Sequence, residues 1–260
     1  MSDLRLAIRQ VRFTNTAFWR NPAAAFFTFV FPLMFLVIFT TLFGNTEVTL
    51  PGPDGQPITV SQSTFYVAAM AAFAVITACY TNLAIGVCFQ RDAGILKRVR
   101  GTPLPGPAYL SARVLHAVIV SVLLVAITAA FGAAFYGSDL PSGGDLIVFI
   151  FTVLVGAASF AALGLAVTAI VPNADAAPPV VNVTILPILF LSDIFIPLGE
   201  DSPAWVDFVG LVFPVRHFSE AMQAGFIGTE FEWSDVVVVA LWGLAGLVLA
   251  ARFFSWEPRR

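Results

Sequence analysis

Residues 90–105 read QRDAGILKRVRGTPLP and place Arg91, Lys97, Arg98 and Arg100 between two long apolar segments. A Lys or Arg at the middle of a bilayer costs about 2.5–3.5 kcal/mol, so the apolar runs on either side must end here. The pattern predicts a short basic helix over residues 90–101, stopped at Gly101 and closed by Pro103 and Pro105.

Working outward, the same contrast governs the whole chain. Of its 260 residues 58% are hydrophobic, 26 are Phe and only 11% are charged, against about 25% charged in ordinary globular domains. Runs of about 20 residues without an ionisable side chain recur, which is the signature of membrane-spanning helices. The expected fold class is an all-α integral membrane protein forming a single transmembrane domain over residues 1–260. Six spans are expected, over residues 23–43, 64–89, 109–136, 146–171, 176–196 and 235–254.

The segments between the spans have their own readings. Residues 3–18 carry Leu4, Ile8, Val11 and Phe18 at helical spacing beside Arg5, Arg9 and Arg12, the pattern of an amphipathic helix lying in the interface. Residues 44–63, rich in Pro, Gly and Thr, read as an external loop, and Pro32 marks an expected kink in the first span. Ala158, Ala162 and Ala166 form a small-residue ridge that would let another helix approach closely. Residues 197–234 hold too many ionisable groups for a lipid-exposed span and read as two short helices dipping into the outer interface. Cys79 and Cys88 lie on one predicted helix, about 13.5 Å apart along its axis, too far to pair with each other. They are expected as small buried residues. The run over residues 23–43 exceeds the about 7–15 apolar residues of a cleaved signal and is expected to stay as a span.

The distribution of basic residues orients this topology. With the amino terminus inside, Arg5, Arg9, Arg12, Arg20, Arg91, Lys97, Arg98, Arg100, Arg113, Arg252, Arg259 and Arg260 all fall on the cytoplasmic side, twelve of the thirteen bases. Arg216 alone falls outside. An even number of spans then leaves both termini in the cytoplasm of a cell-membrane protein.

Several chemistries find no support. A G-x-x-x-x-G-K-[ST] phosphate loop is missing from the sequence. The two histidines are 101 residues apart, neither with a second ligand expected at helical spacing, so no metal site and no catalytic residues are predicted. Ser159 sits in GAASFAALG, which reads as helix packing rather than as a protease nucleophile. His116 reads as a packing or interfacial residue. Ion-coupled carriers place ionisable groups inside the spans, and the interiors here carry none by this reading. An ATP-independent channel or secondary carrier, and a membrane scaffold without transport activity, stand as alternatives.

Charge alone explains why the 90–105 stretch is basic, but not its Gly94, its Leu96 and Val99, or its Thr102–Pro103 stop. In these residues the stretch resembles the coupling-helix motif of ABC-2-type ABC transporter permeases, a pattern like E-R-E-x-G-T-L-x-x-L-x-x-T-P. Arg91, Gly94, Leu96, Thr102 and Pro103 match, while Gln90, Asp92 and Ile95 stand where Glu, Glu and Thr are more usual. LSDIFIPL at 191–198 is similar to the family's L-S-G-x-x-x-P, with Asp193 in place of the glycine, and FPVRHFSEAMQAGFIG at 213–228 looks like the segment before the last span. Drug-export permeases of the daunorubicin-resistance type are the subgroup it most resembles.

The resemblance implies a permease subunit that binds no cofactor itself and works with two ABC ATPase subunits carrying ATP and Mg²⁺. A second permease copy or a related permease, and membrane lipid, complete the expected partners; nucleic acid is not among them. Arg91, Asp92, Gly94, Leu96, Lys97, Arg98, Arg100, Thr102 and Pro103 would then form the ATPase-coupling element. The export path for an apolar or amphipathic substrate is expected along Thr77, Thr81, Asn82, Asn182 and Thr184, with Asp193 at an outer gate.

Overall fold

The computed structural model describes residues 3–43, 46–51, 57–192, 194–195 and 203–257. Eleven α-helices and one two-stranded ribbon are found among them. Among the described residues, five helical segments are long and apolar enough to cross a membrane: α2 (Pro22–Phe43), the continuous rod Gln62–Asp92, α6 (Gly106–Tyr136), α7 (Gly143–Val167) and α11 (Trp233–Phe253). The rod comprises α3 (Gln62–Ile76), a π-helical turn at Thr77–Asn82 and α4 (Leu83–Asp92).

The centre of the bundle is α3. Its FYVAAMAAFAVI run is apolar on every face and rich in Ala, which suits a helix surrounded on all sides. Every residue from Phe65 to Ile76 is buried, and α2, α6, α7 and α10 (Pro214–Ile227) pack around it. The most extensive pairing is α7 against α11. The close approach there comes from Gly243 and Gly246 of α11, whose missing side chains leave room for Ser159 and Ala162. The expected ridge is therefore rotated by one residue at its start, because Ala158 is exposed while Ser159 faces the partner helix.

Large apolar side chains cover the outside of the long helices. Phe27, Ile147 and Val248, for example, are exposed in α2, α7 and α11, as expected where lipid rather than water is the solvent. Helix α2 runs through Pro32 without ending there. Cys79 and Cys88 are free and buried, as anticipated.

Three local features differ from the sequence reading here. Residues in the expected external loop form an antiparallel ribbon, β1 (Glu47–Pro51) with β2 (Pro57–Ser61), pairing Val48 with Val60 and Thr49 with Thr59. Helix α8 (Ala177–Phe190) has 14 residues, about 21 Å of rise, so it falls short of the about 30 Å hydrocarbon core. Pro178 and Pro179 set its start, and the chain turns at Leu191 and Ser192. Helix α1 (Asp3–Trp19) packs along α6, turning Ala7, Val11, Thr14 and Phe18 inward and leaving Ile8 and Phe13 exposed beside Arg9 and Arg12. Its inward face is thus less apolar than the predicted stripe, since tertiary packing selects small residues.

The two short helices before the last span behave differently from each other. α9 (Ala204–Val212) exposes Trp205, Phe208 and Leu211, consistent with an interfacial helix. α10 is instead buried among α3, α7 and α11, with Phe218 filling the space above Gly156. It enters the bundle rather than lying on its surface.

Candidate functional site

The predicted basic helix divides into two parts with different jobs. α4 continues to Asp92, the chain turns at Ala93 and Gly94, and α5 (Ile95–Arg100) follows as a separate six-residue helix. Gly94 makes the corner with φ +70°, a left-handed conformation that favours glycine. Nothing lies within 4 Å of where its Cβ would be, so backbone conformation and not tight packing within the chain requires glycine here.

Arg91 points inward. Its Nη1 and Nη2 donate to the carbonyls of Thr168 at 3.1 Å and Val171 at 2.7 Å, at the end of α7. Asp92 accepts a hydrogen bond from the Ala174 amide at 2.5 Å, in the turn that leads to α8. Arg91 is 1% exposed: a guanidinium bonded to the C-cap carbonyl of α7 and to a carbonyl of the turn beyond it is held inside, off the exposed face of α5. Leu96 is buried as well and anchors α5 in the core. Lys97, Arg98, Arg100, Thr102 and Pro103 are exposed, together with Ile95. The Thr102 hydroxyl donates to the Val99 carbonyl and accepts from the Leu104 amide, fixing the exit from α5. Gln90 accepts from the Tyr109 hydroxyl at 2.6 Å, and the Trp256 ring lies tilted against Tyr109, so the start of α6 and the segment after α11 brace the same corner.

A cavity of about 740 Å³ lies beside this corner, among α1, α2, the π turn, α4, α6 and α8. Thr77, Thr81, Asn82 and Asn182, four of the five residues expected along a path, line it. The Asn82 amide donates to Thr28 across the cavity at 3.3 Å. Three of the four come from the π turn, a feature with i→i+5 bonding that is often found at functional positions in membrane and soluble helices alike. Thr184 does not line the cavity. Its hydroxyl donates to the Val181 carbonyl and accepts from the Tyr80 hydroxyl, each at 2.7 Å, so it serves the contact between α8 and the rod. Asp193 lies outside the described residues.

The chain was then compared with known proteins. A family model described as ABC-2 type transporter matches residues 8–227. The chain belongs to the ABC-2 type transporter family. Its relatives include the ycf38 transport permease of Porphyra purpurea, 25% identical over 229 residues that cover 86% of this chain and 75% of the relative. YvfS of Bacillus subtilis is 24% identical over 231 residues, 89% of either chain. The daunorubicin resistance ABC transporter permease protein DrrB1 of Streptomyces coeruleorubidus is 27% identical over 237 residues, 89% of this chain and 78% of that one.

In this ABC-2 family permease, sequence reasoning missed two cavity residues. Arg113 and His116 share one face of α6 with Ala117 and Val120, and all four line the cavity. The signal is present, since ionisable side chains inside an apolar helix mark function by default, but Arg113 reads in the sequence as an orientation signal and His116 as a packing or interfacial residue.

A third cluster sits at the opposite end of the bundle, where His217, Glu220 and Asp235 bring ligand atoms within 4.8 Å of one another. This corrects the expectation that no histidine has a second potential ligand at helical spacing. The donor set does not suit a metal as it stands. His217 Nδ1 lies 2.7 Å from Asp235 and its Nε2 lies 3.0 Å from the Leu211 carbonyl, so both nitrogens face acceptors. Glu220 is held by Arg216 at 2.8 Å, and Arg216 also reaches Asp207 at 3.1 Å. Above all the hydrogen bond to Asp235 raises the His217 pKa, outweighing burial, with the Leu211 carbonyl and the charges of Asp235 and Glu220 adding to it. The cluster is an ion network joining α9, α10 and α11.

Proposed function

We propose that this chain is the permease of an ATP-driven exporter, with ATP and Mg²⁺ handled by two separate ATPase subunits. Two permeases, either two copies of this chain or one with a related chain, would enclose the substrate path in the cell membrane, with both termini cytoplasmic. α8 would contribute the sixth crossing. The cargo is an apolar or amphipathic compound, in keeping with the aromatic and hydroxyl-bearing lining of the cavity.

One observation carries this reading: α5 presents an exposed basic face while the residues just before it are bonded into the α7–α8 turn. A push on α5 would thereby reach α4 and the α7–α8 turn without requiring α5 itself to deform. ATP binding to the partner and substrate binding in the cavity would then bias one two-state assembly, which is how alternating access couples them. The test is purification in native lipid. An ATP-binding chain should co-purify, and ATP hydrolysis by that complex should depend on Lys97, Arg98 and Arg100. Transport that proceeds at full rate with no ATPase present would overturn the proposal and favour a channel or secondary carrier.

A further inference from the structure

Arg113 stands seven residues into α6, about 10 Å from the start of the helix. Its Nη2 lies 3.8 Å from the Cβ position of Gly86, which is itself six residues before the end of α4. Nε is buried without a hydrogen-bond partner, as is Nδ1 of His116 one turn along. Tyr109 offers only its ring, 6.0 Å from the guanidinium carbon. Among the described residues, no Asp or Glu lines the cavity. Arg113 is half-buried on the cavity wall, and a guanidinium set among apolar side chains without a carboxylate beside it is costly unless an anion offsets its charge.

We propose that the cavity binds the anionic head of an amphiphile, with Arg113 and His116 contacting its phosphate or carboxylate oxygens and the phenylalanines of α1 and α2 flanking its chain. The dimensions fit. A volume of about 740 Å³ falls within the about 300–1,000 Å³ typical of small-molecule sites. The lining runs along the rod from Gln90 to Thr77, about 20 Å of helix, with Arg113 beside Gly86 in the half nearer α5 and Thr77 deep in the span. Phe18, Phe27 and Phe31 border it on the α1–α2 side. Head-outward, tail-inward placement matches the polarity a lipid-like molecule has in one leaflet.

This deepens the transport reading and rests on it only for the source of the ligand, which could be a membrane phospholipid or an exported anionic amphiphile. The full chain in phosphatidylcholine nanodiscs is titrated with dansyl-undecanoate and with its uncharged amide. Wild type should bind the carboxylate at least tenfold more tightly than the amide. R113Q should erase that preference, R113K should keep most of it, and G86L should weaken both probes by filling the space beside the guanidinium. Phosphatidylglycerol in the bilayer will displace the probe if the occupant is a phospholipid. Displacement by dodecyl phosphate but not by phosphatidylglycerol assigns the site to a separate amphiphile. Equal binding of carboxylate and amide to wild type, an unchanged preference in R113Q, or displacement by neither competitor overturns the proposal. No ATPase enters the assay, so its failure leaves the coupling reading standing, and absence of an ATPase partner leaves the site standing.

Discussion

Arg91 Nη2 and the carbonyl of Val171 are 2.7 Å apart, joining the end of the central rod to the turn between α7 and α8. With the second bond to Thr168 at 3.1 Å, the guanidinium satisfies the C-cap carbonyl of α7 and one carbonyl of the turn beyond it. R91M should therefore destabilise the fold by about 3 kcal/mol, since hydrogen bonds to charged groups are worth about 1.5–3 kcal/mol each and orphaned carbonyls add to the loss. R91K keeps the charge but not the fork and should recover only part of it. Chemical unfolding in detergent measures both. A loss under about 0.5 kcal/mol, the range of surface substitutions, would mean that Arg91 is not a strut.

Gly94 separates two explanations of the same residue. If its φ of +70° is what matters, tolerance should follow left-handed propensity, with Asn retaining more coupling than Ala and Val the least. If an ATPase surface fits closely against it, tolerance should follow size, with Ala better than Asn. The ratio of substrate moved to ATP hydrolysed, measured for G94N, G94A and G94V, decides. The expected order is Asn, Ala, Val, with a left-handed residue costing about 1–2 kcal/mol where it has a β-carbon.

The exposed bases of α5 can be reversed without disturbing the core, because only Leu96 of that helix is buried. The triple substitution K97E/R98E/R100E should leave unfolding within about 0.5 kcal/mol of wild type. It should weaken association with the ATPase at least tenfold, through like-charge contacts and loss of electrostatic steering. Adding salt should weaken the wild-type complex. Unchanged ATPase affinity in the triple variant would remove α5 from the interface.

The long spans were legible because a 20-residue apolar run has few other meanings, and the 90–105 island was legible because charge cannot stay in lipid. What escaped the sequence was set by three-dimensional partners. Arg91 and Arg98 look alike in a charge count, yet one caps α7 and the other is exposed. Thr81 and Thr184 both read as polar path residues, but the π turn directs the first into the cavity while Tyr80 claims the second. Arg113 was counted as an orientation signal because its depth depends on where α6 begins. The short helices before the last span were expected, but the burial of α10 was not, since its polar residues find their partners on α9 and α11 and within α10 itself.

His217 makes that last arrangement sensitive to pH. Its pKa is raised from the ordinary 6.5, first by the hydrogen bond to Asp235. A histidine whose folded pKa exceeds its unfolded value contributes stability fully below the unfolded pKa and loses it as pH rises through the folded one. The α10–α11 contact should thus be strongest in mildly acidic solution and should weaken as pH rises above 6.5 towards and past the raised folded pKa. Asp207, Arg216 and Glu220 also surround the pair, and the Arg216 pairs should persist over this range. D235N removes the charged partner while keeping the shape of the side chain. It should lower stability at acidic pH and flatten the pH dependence between acid and neutral. Hydrogen exchange at α10 amides, followed in wild type and D235N across that range, reads the effect locally. A D235N profile parallel to wild type would assign the pH response to another group.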